Sequence, residues 1–119
     1  MSINEKYTFN FAIYYDKVPM IEFLDNLTVK EKAKIFLYIN KFIEMKNNKI
    51  PIPEHISKYL DDGIFELKVN FETKTSRSFY FYEQNKEIIF TNGFIKKTNK
   101  TPINEISKAI KIKKYLKGK

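Results

Sequence analysis

Gly63-Ile64-Phe65-Glu66-Leu67-Lys68-Val69-Asn70-Phe71 is the stretch on which the fold turns. Phe65, Leu67, Val69 and Phe71 alternate with Ile64, Glu66, Lys68 and Asn70, the period of a strand with its core on one side. Ser76 to Tyr82 and Glu87 to Ile95 follow as aromatic and β-branched runs separated by short polar turns. Three antiparallel strands in a meander are the simplest reading. Upstream, Thr8 to Tyr15 alternates as well, with Phe9, Phe11, Ile13 and Tyr15 on one side, and reads as a leading strand. After Pro19, the residues Met20, Phe23, Leu24 and Leu27 recur at helical spacing. Thr28 and Glu31 make a capping-box pattern that starts a second helix at Val29. Its inner stripe is expected at Val29, Ala33, Phe36, Ile39 and Ile43, and Pro51 and Pro53 forbid its continuation. Thr101 ahead of Pro102 signals a last helix running to about Leu116, with Ile103, Ile106, Ala109, Ile110 and Leu116 on its apolar side. The expected order is β-α-α-β-β-β-α, one α+β domain over residues 1–119.

A chain of 119 residues can bury roughly two-thirds of the surface its unfolded form exposes, enough for a core without staples. The absence of cysteine excludes disulfides, thiolate metal sites and a cysteine nucleophile, and suits a reducing cytoplasm. Met1 to Asn10 lack the pattern of a signal peptide, and no stretch approaches the roughly 20 apolar residues of a membrane span. Neither export nor membrane insertion is expected. The net charge of +8 is unevenly placed: Met1 to Ile95 carries 13 basic and 13 acidic residues, whereas Lys96 to Lys119 carries nine Lys against Glu105 alone. Such a field captures polyanions, although a Lys-rich tail also serves plain solubility. Arg77 is the only arginine.

Most catalytic constellations are absent. His55 is the only histidine, which removes His-based metal sites and two-histidine ribonuclease chemistry, and its position after Pro53 suits a loop. Asp61 and Asp62 are adjacent and read as turn residues before Gly63 rather than as a paired-carboxylate site. Three dispersed glycines make no phosphate loop. What remains is a set of cations on the sheet. With Thr73 and Lys74 at the tip of a two-residue hairpin, Asn70 pairs with Arg77 and Lys68 with Phe79. Lys68 and Arg77 are then diagonal neighbours on one face, within joint reach of one phosphate. A one-residue shift of the turn is expected to part them. Lys96 and Lys97 leave the next strand, and one of the two can point back over the same face.

The strings Asp62-Gly63-Ile64-Phe65-Glu66-Leu67-Lys68, Arg77-Ser78-Phe79-Tyr80-Phe81, Gly93-Phe94-Ile95-Lys96-Lys97-Thr98, and Thr101-Pro102 with Glu105, Ile106 and Ala109 resemble the RelE/HigB toxins. The likeness is nearest to the phage-protein-like HigB branch of the RelE/ParE superfamily and covers Tyr59 to Leu116 in order and spacing. It implies a twisted antiparallel sheet, two N-terminal helices on one face, and a last helix bordering a basic concave face. It also implies an endoribonuclease that cleaves mRNA on the ribosome and inhibits translation, without metal or cofactor. The implied partners are mRNA, the ribosome and a cognate helix-turn-helix antitoxin, all in the cytoplasm. By position, Arg77 matches the arginine that contacts the scissile phosphate, Lys68 a second strand cation, and Lys97 or Lys96 a basic residue supporting the leaving group. Lys96, Lys100, Lys111 and Lys114 are the expected RNA-binding residues. Two departures stand out: Glu66 occupies a place where some relatives have Lys, and Ile106 that of a base-stacking tyrosine, for which Tyr115 is the available substitute.

Metal-free RNA cleavage uses the 2′-hydroxyl as nucleophile and needs a base, charge stabilisation on the phosphorane, and an acid for the departing 5′-oxygen. Arg77 suits the second role through its planar fork. Lys68 as base and Lys97 as acid complete the scheme, with the assignment among the lysines left open. Two rivals are a ParE-like toxin that binds DNA gyrase without cutting, and an RNA- or ribosome-binding module stacking bases on Phe79, Tyr80 and Tyr82.

Overall fold

The alternating runs become strands and the periodic ones helices. In the computed structural model, which describes residues 5–97 and 102–118, the elements are β1 (Thr8–Phe11), α1 (Pro19–Asp25), α2 (Val29–Asn47), β2 (Ser57–Asp61), β3 (Ile64–Asn70), β4 (Thr75–Tyr82), β5 (Glu87–Lys96) and α3 (Ile103–Lys117). The strands form one sheet in the order β1-β5-β4-β3-β2. The fold is α+β, with two additions to the expected order. β2 is a strand the sequence reading does not contain, and β1 runs parallel to β5, so the sheet is mixed rather than wholly antiparallel.

β2 is held by chemistry its sequence hides. Asp62 and Gly63 both adopt positive φ, the conformation of a two-residue hairpin turn, and they fold β2 back against β3. The Ser57 hydroxyl and the buried Tyr80 phenol lie 2.8 Å apart, linking β2 to β4 past β3. Burial pushes that phenol's pKa up, so the group stays neutral.

Each face of the sheet carries its own apolar cluster. On one side Met20 and Leu24 of α1 and Ile35, Ile39 and Phe42 of α2 pack on Leu67, Val69, Tyr80, Ile88 and Phe90. On the other, Ala109 and Ile112 of α3 pack on Ile64, Phe79, Phe81, Ile89 and Phe94. The capping box forms as expected: Thr28 accepts from the Glu31 backbone and Glu31 from the Thr28 backbone. The inner stripe of α2 is nevertheless turned by about one residue from the expected one. Ile35, Ile39 and Phe42 are buried, whereas Val29 is 84% exposed and Ala33 is also outside. Of the expected stripe, Ile39 is buried and Phe36 and Ile43 are half-buried at the flank of the same core, so the larger side chains set the facing and Val29 and Ala33 are left out. In α3 the same rule buries Ile112 and leaves Ile103 81% exposed. Pro102 is the N-cap of α3, one position earlier than a proline inside the first turn, and Thr101 lies outside the described residues. No helix among the described residues is long and apolar enough to cross a membrane.

Candidate functional site

The site begins with the β3–β4 hairpin. Its tip is Glu72-Thr73, closed by the Phe71 amide donating to the Lys74 carbonyl at 2.8 Å. This is one residue earlier than the sequence suggests, so Lys68 stands directly opposite Arg77 and Asn70 opposite Thr75, replacing the expected Lys68–Phe79 and Asn70–Arg77 pairs. The shift does not separate the two cations. Moving a two-residue turn by one position moves the pairing by two, which preserves the face each side chain occupies.

β5 adds the third cation through a bulge. Up to Phe90 it pairs with β4 in one register, and from Gly93 onward in another, so that Thr91 and Asn92 together face Phe79. The extra residue reverses the parity of the strand beyond it. Phe94 therefore stands opposite Arg77 and Lys96 opposite Thr75, both on the side that carries Lys68. Of the two paired lysines, it is Lys96 that the register brings over this face, while Lys97 is exposed one position on. The bulge is anchored by its own polar groups: the buried Thr91 hydroxyl donates to Asn92 Oδ1 at 2.7 Å, and Asn92 Nδ2 donates to the Glu105 carbonyl in the first turn of α3 at 3.4 Å.

α3 covers the half of this face made by Ile64, Phe79, Phe81 and Ile89. Beyond it lies a cavity of about 450 Å³ lined by the hairpin tip with Arg77, Lys96 and Lys97. The Lys96 ammonium is held below the ordinary lysine value, by burial first and then by the positive charge of Arg77, with Lys58 and Lys68 adding to it and Glu66 opposing. Lys58, on β2 opposite Glu66, thus belongs to the same cluster. Sequence reasoning missed it because it missed β2. It also missed the partner of the arginine: Arg77 Nη1 donates to Glu66 Oε2 in a buried ion pair. The signal was present, since Glu66 and Lys68 are two apart on one strand and so share a face.

The remaining expected residues are placed elsewhere or not placed. Lys100 lies outside the described residues. Lys111 lines a separate groove of about 670 Å³ with Tyr14, Ile103, Ser107 and Lys108, and Lys114 is exposed on the same helix. Neither is brought to Arg77. Their neighbours Lys113 and Lys117 brace α3 against the sheet, donating to the Asp62 carbonyl and the Glu83 carboxylate at 2.5 Å each. Tyr115 packs on Tyr14 and Tyr15 at ring separations of 5.1 and 4.5 Å rather than over the cation cluster. Phe79 and Tyr80 are buried in the two cores and Tyr82 is half-buried, so these rings offer no base-stacking platform. His55 sits exposed in the turn before β2, a loop residue as expected.

The recess is walled by Lys74, Arg77, Lys96 and Lys97 together with Glu72, a predominance of positive charge that could hold a phosphate-sized anion. A family model described as Phage derived protein Gp49-like (DUF891) matches residues 22–114, from α1 through most of α3 and including every residue of the cluster. No curated protein matches the chain. With more than half of its length inside that match, the chain belongs to the phage-derived Gp49-like family.

Proposed function

We propose that this chain is the toxin of a toxin–antitoxin pair, a metal-independent endoribonuclease of the RelE/HigB kind that cuts mRNA on the translating ribosome. The observation that carries the reading is the convergence of Lys68, Arg77 and Lys96 on one face beside an open cavity, produced by the hairpin register and the β5 bulge together. Membership of a phage-derived family fits a toxin role, and a toxin implies a cognate antitoxin that silences it.

In the proposed reaction the 2′-hydroxyl gives its proton to a lysine and attacks the adjacent phosphate. Charge builds on the phosphorane beside Arg77, and a protonated lysine delivers a proton to the departing 5′-oxygen. Arg77 stabilises the phosphorane, Lys68 serves as base and Lys97 as acid. Lys96 joins the proton-transfer candidates because the β5 register brings it to the face of Lys68 and Arg77 beside the cavity, where burial and the Arg77 charge lower its pKa. The antitoxin is expected to be acidic or amphipathic, since it has to cover or compete for a basic surface.

The test incubates purified protein with translating ribosomes and maps new RNA ends. New ends with the parent, and their loss with Arg77→Ala, are the expected result. No new ends, or cutting by Arg77→Ala at the parent rate, refutes the reading. In cells, the chain expressed alone should arrest growth, and the product of the neighbouring gene should relieve the arrest.

A further inference from the structure

Glu66 is 2% exposed and Arg77 8%, and among the described residues they are the only charged side chains that are buried. A buried ion pair adds little to stability, because removing two charges from water costs about as much as their attraction gains. The pair also leaves a loose end: Arg77 Nε is buried without a hydrogen-bond partner. An apolar pair at the same diagonal would avoid both costs. The contact has one other property, which is direction. Glu66 engages one end of the guanidinium, at Nη1, while the arginine side chain also lines the cavity with Lys96 and Lys97.

We propose that Glu66 is a positioning residue for Arg77: its carboxylate fixes the plane of the guanidinium so that the Nη donors it leaves unused, rather than the buried Nε, are presented to a phosphate in the cavity. Glu66 itself exchanges no proton with substrate. The inference rests on the phosphate-cleaving reading of the cavity, and goes beyond it by giving the buried acid a task that opposes simple affinity. Lys58 stands opposite Glu66, Lys68 lies two residues along its strand, and Glu66 opposes the positive charges acting on Lys96, so Glu66 weakens the field that attracts RNA while it orients the group that acts on the phosphorane.

Those two effects have opposite signs in one variant. Glu66→Gln keeps the shape and one acceptor but removes the charge. Single-turnover cleavage of ribosome-bound mRNA should slow by on the order of tenfold to a hundredfold, the scale of a small misplacement of a reacting group. The affinity for a non-cleavable 2′-deoxy oligonucleotide should hold or tighten. A purely structural role would lower both with the folded fraction. Because Arg77 is the only arginine, ¹⁵N-arginine labelling gives one set of guanidinium signals. In the parent these should show slow rotation and protection from exchange, and should shift when the oligonucleotide is added.

Equal cutting by parent and Glu66→Gln, or parallel losses of rate and affinity in a fully folded variant, overturns the positioning role. So does a freely rotating Arg77 in the parent, a measurement that needs no variant to fold. If the parent cuts no RNA, the nuclease reading fails separately. The guanidinium spectrum then still decides the inference: a fixed Arg77 that answers the oligonucleotide upholds it, and one that does not answer overturns it.

Discussion

Arg77 carries two obligations that a substitution separates. In the proposed reaction it is a phosphate-facing fork that contributes most when charge builds, so Arg77→Ala should lower the cleavage step by about 10²–10³, the usual loss for a preorganised donor. Binding should suffer less, because Lys58, Lys68 and Lys96 remain on the same face to meet the RNA backbone that the proposed function brings there. As the partner of Glu66 it neutralises a buried carboxylate, and its removal should destabilise the fold by about 3–5 kcal/mol. Arg77→Lys retains a charge for Glu66 and should melt closer to the parent, yet remain impaired in cutting because an ammonium lacks the planar two-point contact. Single-turnover rates with melting temperatures measured in parallel check both halves. The unique arginine was legible in the sequence because it stands out from 21 lysines. Its burial was not, since nothing local to residues 76–78 reveals a carboxylate arriving from another strand.

Among the elements, the capping box and the β5 bulge mark what sequence shows and what it hides. Thr28 and Glu31 are three residues apart on one chain, so their pattern is local, and the helix starts where it says. Thr28→Ala should cost about 1 kcal/mol in a denaturant melt, the typical value of a lost cap. Glu31 is also paired with Lys74 at 2.7 Å, which ties α2 to the hairpin of the site. The hydrogen bond from Lys74 first, then the Thr28 amide, hold the Glu31 carboxyl below its ordinary value of 4.5. A carboxyl whose pKa is lower folded than unfolded stabilises the fold above the unfolded value and loses that contribution as pH falls through the folded one. The melting difference between the parent and Glu31→Gln should therefore be largest near neutral pH and close on acidification below about pH 4.5. The bulge, by contrast, depends on how β5 meets β4 and leaves no local pattern in the run Phe90 to Gly93. Its neighbour Gly93 is confined by Phe23 of α1, whose ring lies 2.6 Å from where a Cβ would sit. Gly93→Ala should destabilise by about 1–3 kcal/mol through overpacking, read from the same melts. β2 escaped notice for a related reason: most of Ser57–Asp61 is exposed, and an edge strand with little apolar alternation is announced only by the Asp62-Gly63 turn after it.

Over the whole molecule, the excess charge of the C-terminal fifth divides into two populations. Lys113 and Lys117 are engaged in holding α3 to the sheet, so neutralising them should lower the melting temperature and leave RNA affinity nearly unchanged. Lys111 and Lys114 remain on the outer side of the helix. If they meet phosphates, Lys111→Gln with Lys114→Gln should flatten the plot of log affinity against log salt by roughly 0.7 for each phosphate that loses its lysine. An unchanged slope would assign that surface to something other than RNA. The order of strands carries a last consequence. β5 lies between β1 and β4 and supplies Lys96, yet among the described strands it comes last in the chain, with Glu87 pairing back to Thr8. A nascent chain halted before residue 87 has β1 without its neighbour, β4 with an open edge and the charge row incomplete. Closure of the sheet over so long a separation is slow and late. On the proposed reading, a chain halted there lacks Lys96 and the closed sheet that carries it, so the site exists only once β5 has been made and has paired.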